Sequence, residues 1–361
     1  MTDRAFIATR KGLFTLTRGT SSWALSAPAF LGDPVSHILA DSRDGALYAA
    51  LNLGHFGVKM RRSDDGGTSW VELGVPTYPP QPEGAPGPAW KLDQIWVLEA
   101  GGNDEPGTLW AGTLPGGLFR STDRGEHWQL IDSLWQHPLR TEWGGGGYDA
   151  PGIHSICVDP RDSRHVTLAV STGGVWRTRD RGETWEICAS GMQAHYMPPE
   201  KRGDEVSQDV HRLVCCAAWP DSFWVQHHNG VYRSTDDAAT WQEIRATALS
   251  AFGFAVVVDP NDAQTAWFVP AVKDELRIPV GGALVVNRTR DGGKSFETIA
   301  TGLPQQDCFD LVYRHGLDVS ADGRTLMMGS TTGHLWASGD GGDSWQMVAA
   351  HLAPVGTVRL G

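Results

Sequence analysis

The segments Ser121-Thr-Asp-Arg-Gly-Glu-His-Trp128 and Thr178-Arg-Asp-Arg-Gly-Glu-Thr-Trp185 share one pattern: a hydroxyl residue, Asp, Gly and a closing aromatic residue at fixed offsets. Four further copies keep the Asp, and a seventh copy, Thr17–Trp23, has lost it. The copies end 47 to 58 positions apart, at Trp23, Trp70, Trp128, Trp185, Trp241, Phe296 and Trp345. A repeat of this length indicates an array of similar structural units.

Each copy has the context of a β-hairpin. Gly and apolar residues precede it, a short alternating run follows, and Asp with Gly suits a tight turn with positive φ. Two more strands upstream make four strands per repeat, which is typical of the blade of a β-propeller. The last residues, 356–361, resemble residues 34–39 and would supply the strand that the N-terminal copy lacks, which closes the ring. The sequence therefore predicts an all-β, seven-bladed β-propeller as a single domain spanning residues 1–361.

Composition narrows the class of partner. The 361 residues carry a net charge of −12, which argues against nucleic acid and anionic membranes as main partners. The first residues show no apolar signal segment, and the five Cys form no Cys-x-x-Cys motif. We expect a soluble, cytoplasmic protein. Its 16 Trp residues are explained mostly by the repeat.

The repeated turns resemble the Asp-box, or BNR repeat, of sialidases, xyloglucanases, sortilin-type receptors and the photosystem II assembly factor. The resemblance covers nearly the whole chain and implies a propeller fold. It says little about function, because the Asp-box turns of those families perform no chemistry. A true sialidase is disfavoured, because sialidases have six blades and a Tyr–Glu nucleophile pair that this sequence does not match. The resemblance implies a glycosyl hydrolase-like protein or a non-enzymatic assembly factor.

Aligning the first strand of each repeat selects equivalent positions at the predicted mouth of the central channel. Three of them are histidines, His154, His211 and His315, and a fourth is Asp93. Three neutral imidazoles with a carboxylate suit one divalent metal ion, Zn, Mn or Fe. Without a metal, the histidines can act as acid–base groups or bind an anion. The structural alternative is that each histidine bonds a backbone group of the neighbouring blade.

The long loops supply further candidates. Glu142 and Asp149 flank the glycine run 144–147, which could deliver a catalytic carboxylate or be a solvated loop. Candidate substrate-binding residues are Arg212 and Arg314 for a carboxylate, together with His228, Tyr196 and Trp143. Trp90, Trp135 and Trp143 lie outside the repeat positions and could stack on sugar rings or anchor loops.

These residues predict a hydrolase or lyase that acts on a carbohydrate-like or acidic small molecule at the histidine-lined mouth. The alternative is a non-enzymatic propeller scaffold that binds a protein or peptide on the same face.

Overall fold

The computed structural model describes residues 3–20, 22–85 and 87–361. Met1, Thr2, Ser21 of the seventh repeat copy and Pro86 of a predicted loop lie outside the described residues. The described residues form seven four-stranded sheets. These sheets are the blades of a seven-bladed β-propeller, so the predicted fold class is confirmed.

The strands follow the repeat closely. The N-terminal blade contains β1 (Arg4–Thr9), β2 (Gly12–Arg18) and β3 (Trp23–Leu25). The next three blades contain β4 (Val35–Ala40), β5 (Leu47–Asn52), β6 (Val58–Ser63), β7 (Val71–Leu73), β8 (Gln94–Ala100), β9 (Leu109–Leu114), β10 (Leu118–Ser121), β11 (Gln129–Leu130), β12 (Ile153–Val158), β13 (Val166–Val170), β14 (Val175–Thr178) and β15 (Glu186–Ile187). The remaining strands are β16 (Val210–Cys216), β17 (Trp219–His227), β18 (Gly230–Ser234), β19 (Gln242–Ile244), β20 (Gly253–Asp259), β21 (Asp262–Pro270), β22 (Val286–Thr289), β23 (Glu297–Ile299), β24 (Leu317–Val319), β25 (Leu326–Gly329), β26 (Leu335–Ser338), β27 (Gln346–Ala349) and β28 (Val355–Leu360).

The chain separates into two compact units. The central unit is Leu39–Leu213, and the terminal unit is Met1–Ile38 together with Val214–Gly361. The boundaries between them fall inside β4 and β16. The prediction of one domain spanning residues 1–361 stays a prediction.

The C-terminal strand completes the N-terminal blade. Strand β28 pairs antiparallel with β1, with Ala5 opposite Leu360 and Ile7 opposite Val358. The sheet order is therefore β28-β1-β2-β3, as the sequence predicted. The pairing gives β1 a neighbour on each side and removes an exposed strand edge.

Hydrogen bonds to the repeated Asp hold the six turns that contain it. In the copy that follows β6, Asp65 Oδ1 accepts the amides of Thr68 and Ser69 at 3.0 and 2.8 Å. Its Oδ2 accepts the Ser69 hydroxyl at 2.6 Å, and Gly67 has φ of +93°. Because the hydroxyl and amide of Ser69 donate to the charged form, they lower the pKa of Asp65 to about 2.

Tryptophans fill the blades. Large indoles in second or third strands are at most 1% exposed, as blade packing predicts; they are Trp110, Trp176, Trp224, Trp267 and Trp336. The closing aromatics Trp185, Trp241 and Trp345 are also buried. Most of the Trp content therefore belongs to the hydrophobic core.

The predicted long connections between successive blades are present. They cover residues 74–93, 131–152, 188–209, 245–252 and 300–316. The expanded connection inside one blade, between β21 and β22, covers residues 271–285. These segments carry most of the candidate site residues.

Helical structure is confined to short turns in the connections. They are α1 (Asp132–Trp135) and the 3-10 turns Gly54–Phe56, Pro138–Glu142, Pro199–Lys201, Glu205–Ser207 and Val280–Gly282. No helix within the described residues has the length and apolar character needed to cross a membrane.

The substitution Asp340→Asn tests the contribution of a repeated turn. Asp340 accepts hydrogen bonds from the Ser338 hydroxyl and from the amide and hydroxyl of Ser344. An amide nitrogen cannot accept the bond from the Ser344 hydroxyl, so the free energy of unfolding should fall by about 1 kcal/mol at neutral pH. Urea denaturation followed by Trp fluorescence measures the change.

The difference in the free energy of unfolding between wild type and Asp340→Asn should shrink in acid. Burial raises the pKa of Asp340, but the bonds from Ser344 and Ser338 outweigh it and hold the pKa below the usual 3.8. The carboxylate therefore stabilises the fold above pH of about 4, and this contribution is lost as the pH falls through the lowered pKa. Asp33→Asn, at an exposed carboxylate, is the control. A gap between wild type and Asp340→Asn that stayed constant with pH would contradict this account.

Candidate functional site

His154 of the central unit is buried in β12, at an irregularity of the strand pairing between Ile153 and Ser155. Its Nε2 donates to the Val210 carbonyl at 2.7 Å, and its Nδ1 accepts from the Ser155 hydroxyl at 3.0 Å. Because a carbonyl can only accept, the Nε2 atom carries the proton in this arrangement. The contact with Val210, in the first strand of the next blade, is the one that the structural alternative predicted.

His211 lies beside an acidic residue that the sequence analysis did not select. Its Nε2 is 3.7 Å from Asp209 Oδ1, and the two side chains are only 3% and 11% exposed. A carboxylate at this distance stabilises the protonated imidazole. Asp209 directly precedes β16, two positions before His211, and side chains two apart on an extended chain share a face. That spacing was the signal available in the sequence.

One glycine of the run 144–147, Gly146, lies close to Asp209 of this pair. A Cβ on Gly146 would lie 3.2 Å from Asp209 Oδ1 and 3.0 Å from Ser171 Cβ. The backbone of the run therefore approaches Asp209 closely, which a side chain would hinder. The flanking carboxylates Glu142 and Asp149 are exposed. Their predicted catalytic role stays a prediction.

An exposed aromatic side chain extends from the same loop. Tyr148 is 48% exposed, and its ring lies edge-to-face with Trp96 at 5.1 Å between centroids. Trp96 in turn contacts His154 edge-to-face at 5.4 Å. Tyr148 is therefore an aromatic surface connected to the buried histidine, and the sequence analysis missed it.

The loop tryptophans are placed differently from the predicted sugar platforms. Trp143 is 7% exposed and packs edge-to-face on Trp176, and Trp135 is 5% exposed beside Trp90. By packing here, the indoles remove a large apolar surface from water, and this burial stabilises the loops. In this structure Trp143 and Trp135 anchor loops, the second of the two roles considered for them.

Arg212 lies on strand β16, and Tyr196 lies in the loop that precedes this strand. The half-exposed Tyr196 donates its hydroxyl to the Ser207 carbonyl. Burial, together with the charge of Asp209, raises the pKa of Tyr196, so the phenol stays protonated at neutral pH. Arg212 Nη1 is 3.5 Å from the His154 carbonyl oxygen and 3.4 Å from Ser155 Oγ. Both predicted ligand-binding residues therefore belong to the central unit with Asp209 and His154.

Three of the other predicted residues, His315, Arg314 and His228, lie in the terminal unit. His315 is buried just before β24, with its ring edge-to-face against His37 at 4.9 Å. Arg314 lies over the Phe254 ring at 5.5 Å, and His228 contacts Phe252. Asp93, which precedes β8, is in the central unit and exposed. A metal held by His154, His211, His315 and Asp93 stays a prediction.

Comparison with known proteins gives partial relatives. No family model matches the chain. A xyloglucanase from Paenibacillus sp is 27% identical over 162 residues, which are 41% of this chain and 15% of that enzyme. The match therefore spans a small part of the relative, and this chain is similar to a segment of it.

Solved structures show the same fold. A GH74 xyloglucanase from Xanthomonas campestris has a TM-score of 0.67 at 16% identity, covering 97% of this chain and 53% of that one. A structure of YCF48 bound to D1 peptide has a TM-score of 0.53 at 14% identity, covering 87% and 82%. This chain spans about half the length of the xyloglucanase structure. Xyloglucanase-like and YCF48 neighbours match the expected resemblance, and membership of the Asp-box family stays a prediction.

The substitution His154→Ala separates the structural role of His154 from a metal-binding role. Removing the imidazole leaves the buried Val210 carbonyl without this donor, so the free energy of unfolding should fall by about 1–3 kcal/mol. His154→Gln, which can still donate to the carbonyl, should lose less. Chemical denaturation measures both, with His55→Ala at an exposed position as the control.

Elemental analysis of the purified wild type and of His154→Ala completes the test. A stoichiometric divalent metal in the wild type that disappears in the variant would contradict a purely structural role for His154.

Proposed function

We propose that this protein is a glycosyl hydrolase-like enzyme, acting as hydrolase or lyase on a carbohydrate-like or acidic small molecule. The observation that carries the proposal is the nearly buried pair of Asp209 and His211, whose facing atoms are 3.7 Å apart. The partial sequence similarity to xyloglucanases supports a carbohydrate as substrate.

The pair supplies acid–base chemistry. Neutral His211 takes a proton from the attacking water in a hydrolysis, or from the sugar carbon next to a carboxylate in an elimination, and the negative charge of Asp209 stabilises the imidazolium that forms. The same imidazolium then returns a proton to a leaving oxygen. Both hydrolysis and elimination of a glycosidic bond need these two steps, so the pair serves either reaction.

Neighbouring residues supply contacts for a sugar. Tyr148 offers an exposed aromatic face, and sugar rings stack on such faces through their C–H groups. Tyr196 donates its hydroxyl proton to the Ser207 carbonyl, so its phenol oxygen can accept a hydrogen bond from a sugar hydroxyl near Asp209. The close approach of Gly146 links the loop that carries Tyr148 to the acid–base pair. The proposal requires no metal ion.

Peptide binding is the second candidate function. It is supported by the likeness to YCF48, whose solved structure holds D1 peptide. In that case the protein is a scaffold, and substitutions at Asp209 and His211 change peptide affinity without any turnover being present in the wild type.

Turnover of polysaccharides tests the acid–base pair. Purified protein is incubated with xyloglucan and with neutral and uronate-containing polysaccharides. New reducing ends report cleavage, and new unsaturated ends identify elimination. We expect His211→Ala and Asp209→Asn to lower the rate by about 100-fold to 10,000-fold, because the first removes the proton-transfer group and the second removes the charge that stabilises its imidazolium.

Asp204→Asn, an exposed carboxylate of the same loop, is the matched control and should keep wild-type turnover. Equal activity of Asp209→Asn, His211→Ala and this control would refute the assignment of the pair. Cleavage by none of the proteins, with binding of a peptide, would favour the scaffold function.

The substitution Tyr148→Ala tests the aromatic surface. Stacking on an exposed ring contributes about 0.5–1.5 kcal/mol, so KM should rise about two- to tenfold while kcat changes little. Phe56→Ala removes an exposed ring elsewhere in the central unit and serves as control. A fall in kcat at unchanged KM would assign Tyr148 a different role.

A further inference from the structure

Asp310 of the terminal unit is a buried carboxylate whose only ion-pair partner among the described residues is His334. Its Oδ1 accepts hydrogen bonds from the Ser330 hydroxyl at 2.6 Å and from the Thr332 hydroxyl, and its Oδ2 accepts one from Cys308 Sγ at 3.2 Å. Burial raises the pKa of Asp310, but these bonds and the one from His334 outweigh it and hold the pKa below its usual value. The cluster therefore holds a negative charge at neutral pH.

His334 directs one imidazole nitrogen to Asp310 and leaves the other for a ligand. Its Nδ1 donates to Asp310 Oδ1 at 2.8 Å, so Nε2 carries the lone pair of the neutral ring. The side chain is 29% exposed, and Nε2 has no hydrogen-bond partner among the described residues. Histidines that bind metal ions have this arrangement, because the carboxylate fixes the tautomer and makes the ligating nitrogen more basic.

Backbone hydrogen bonds fix the loop that carries His334. The loop joins β25 to β26, and the Ser330 amide bonds to the His334 carbonyl at 2.9 Å. The Leu352 amide bonds to the Gly333 carbonyl at 2.9 Å. A Cβ on Gly333 would lie 1.8 Å from the Leu352 carbonyl oxygen, so the two segments approach as closely as a glycine allows. Residues 351 and 352 therefore lie directly against this loop.

The contact brings a second imidazole to His334. The ring of His351 lies 6.2 Å from the ring of His334, measured between centroids. Two imidazoles that bind one ion at about 2.1 Å have centroids about 4.5–6.5 Å apart. His351 is exposed, and its side chain makes no hydrogen bond in the part of the chain that the structure describes. Both rings are therefore accessible to an ion from solvent.

The chemistry of the donors selects the class of ion. Imidazole nitrogens suit Zn²⁺, Ni²⁺ and Cu²⁺, whereas Mg²⁺ and Ca²⁺ prefer oxygen ligands. The negative charge of Asp310, which no arginine or lysine of the described residues neutralises, favours a cation at the other end of the His334 ring. Two protein ligands leave coordination positions for water.

We propose that His334 and His351 bind one divalent transition-metal ion, Zn²⁺, and that Asp310 orients His334 toward it. The ion links residue 351 to the loop of residues 330–334 and stabilises the folded state by binding to it. The site lies within the terminal unit, and it is independent of the acid–base pair Asp209–His211 and of the metal site predicted at His154.

Isothermal titration of the full-length, metal-free protein with ZnCl₂ tests the site, with MgCl₂ as the comparison. We expect one equivalent of Zn²⁺ to bind about tenfold or more weakly in His334→Gln and in His351→Asn, because each substitution removes one of two ligands. Asparagine is chosen because position 351 has φ of +64°, which asparagine tolerates. Asp310→Asn should weaken binding about 10- to 100-fold, because the orienting charge is lost.

His127→Ala is the matched control. His127 Nδ1 also lies 2.7 Å from a carboxylate oxygen, that of Asp123, but no second histidine ring contacts His127 within the described residues. This variant should bind Zn²⁺ as the wild type does. Circular dichroism identifies any variant that fails to fold, and the substitution of exposed His351 then decides.

Urea denaturation gives a second measurement. ZnCl₂ should raise the denaturation midpoint of the wild type and of His127→Ala but not that of His351→Asn. The proposal is overturned if Zn²⁺ does not bind, if His334→Gln or His351→Asn binds it as His127→Ala does, or if Mg²⁺ binds as tightly as Zn²⁺.

Discussion

A carboxylate that accepts the amide and hydroxyl hydrogen bonds of its own turn holds the third and fourth strands of the blade together in six of the repeats. The hydroxyl two positions earlier bonds to the same Asp and to the backbone two residues beyond it, as Ser63 does with Asp65 and Gly67. The Asp carboxylate thus gives hydrogen-bond acceptors to backbone N–H groups of the turn that have no partner in the strand pairing. It also directs the closing aromatic residue onto the hairpin, where indoles such as Trp345 are buried.

The hydrogen bonds of this turn impose positive φ angles even on residues that are not glycine. Arg124, Arg181, Asp237 and Ala238 all have φ near +60°, although such angles are unfavourable for residues with a Cβ. Ala238 even replaces the Gly that most copies carry. The hydrogen bonds to Asp236 compensate for the strain, with Thr240 donating its amide at 3.0 Å and its hydroxyl at 2.6 Å. A blade whose turn keeps the Asp therefore tolerates other residues at the Gly position of that turn.

Because the turns secure the blades, the connections are free to carry function. In the central unit, the connections 131–152 and 188–209 bring Gly146 and Asp209 together beside His211. In the terminal unit, the connection 300–316 brings Asp310 to His334, whose ring lies beside that of His351. Each cluster joins residues from different segments of the chain, including a connection whose length the repeat does not set.

The sequence by itself determined the propeller, the strand positions and the burial of most tryptophans, because spacing and alternation are local properties that recur in every blade. It also located His154 and His211 correctly on the first strands of their blades. Tertiary structure alone decided which groups meet: Asp209 beside His211, Tyr148 on Trp96, and Trp143 packed away on Trp176. Such contacts depend on the path of long connections and on competition for buried surface, and neither leaves a periodic pattern in the sequence.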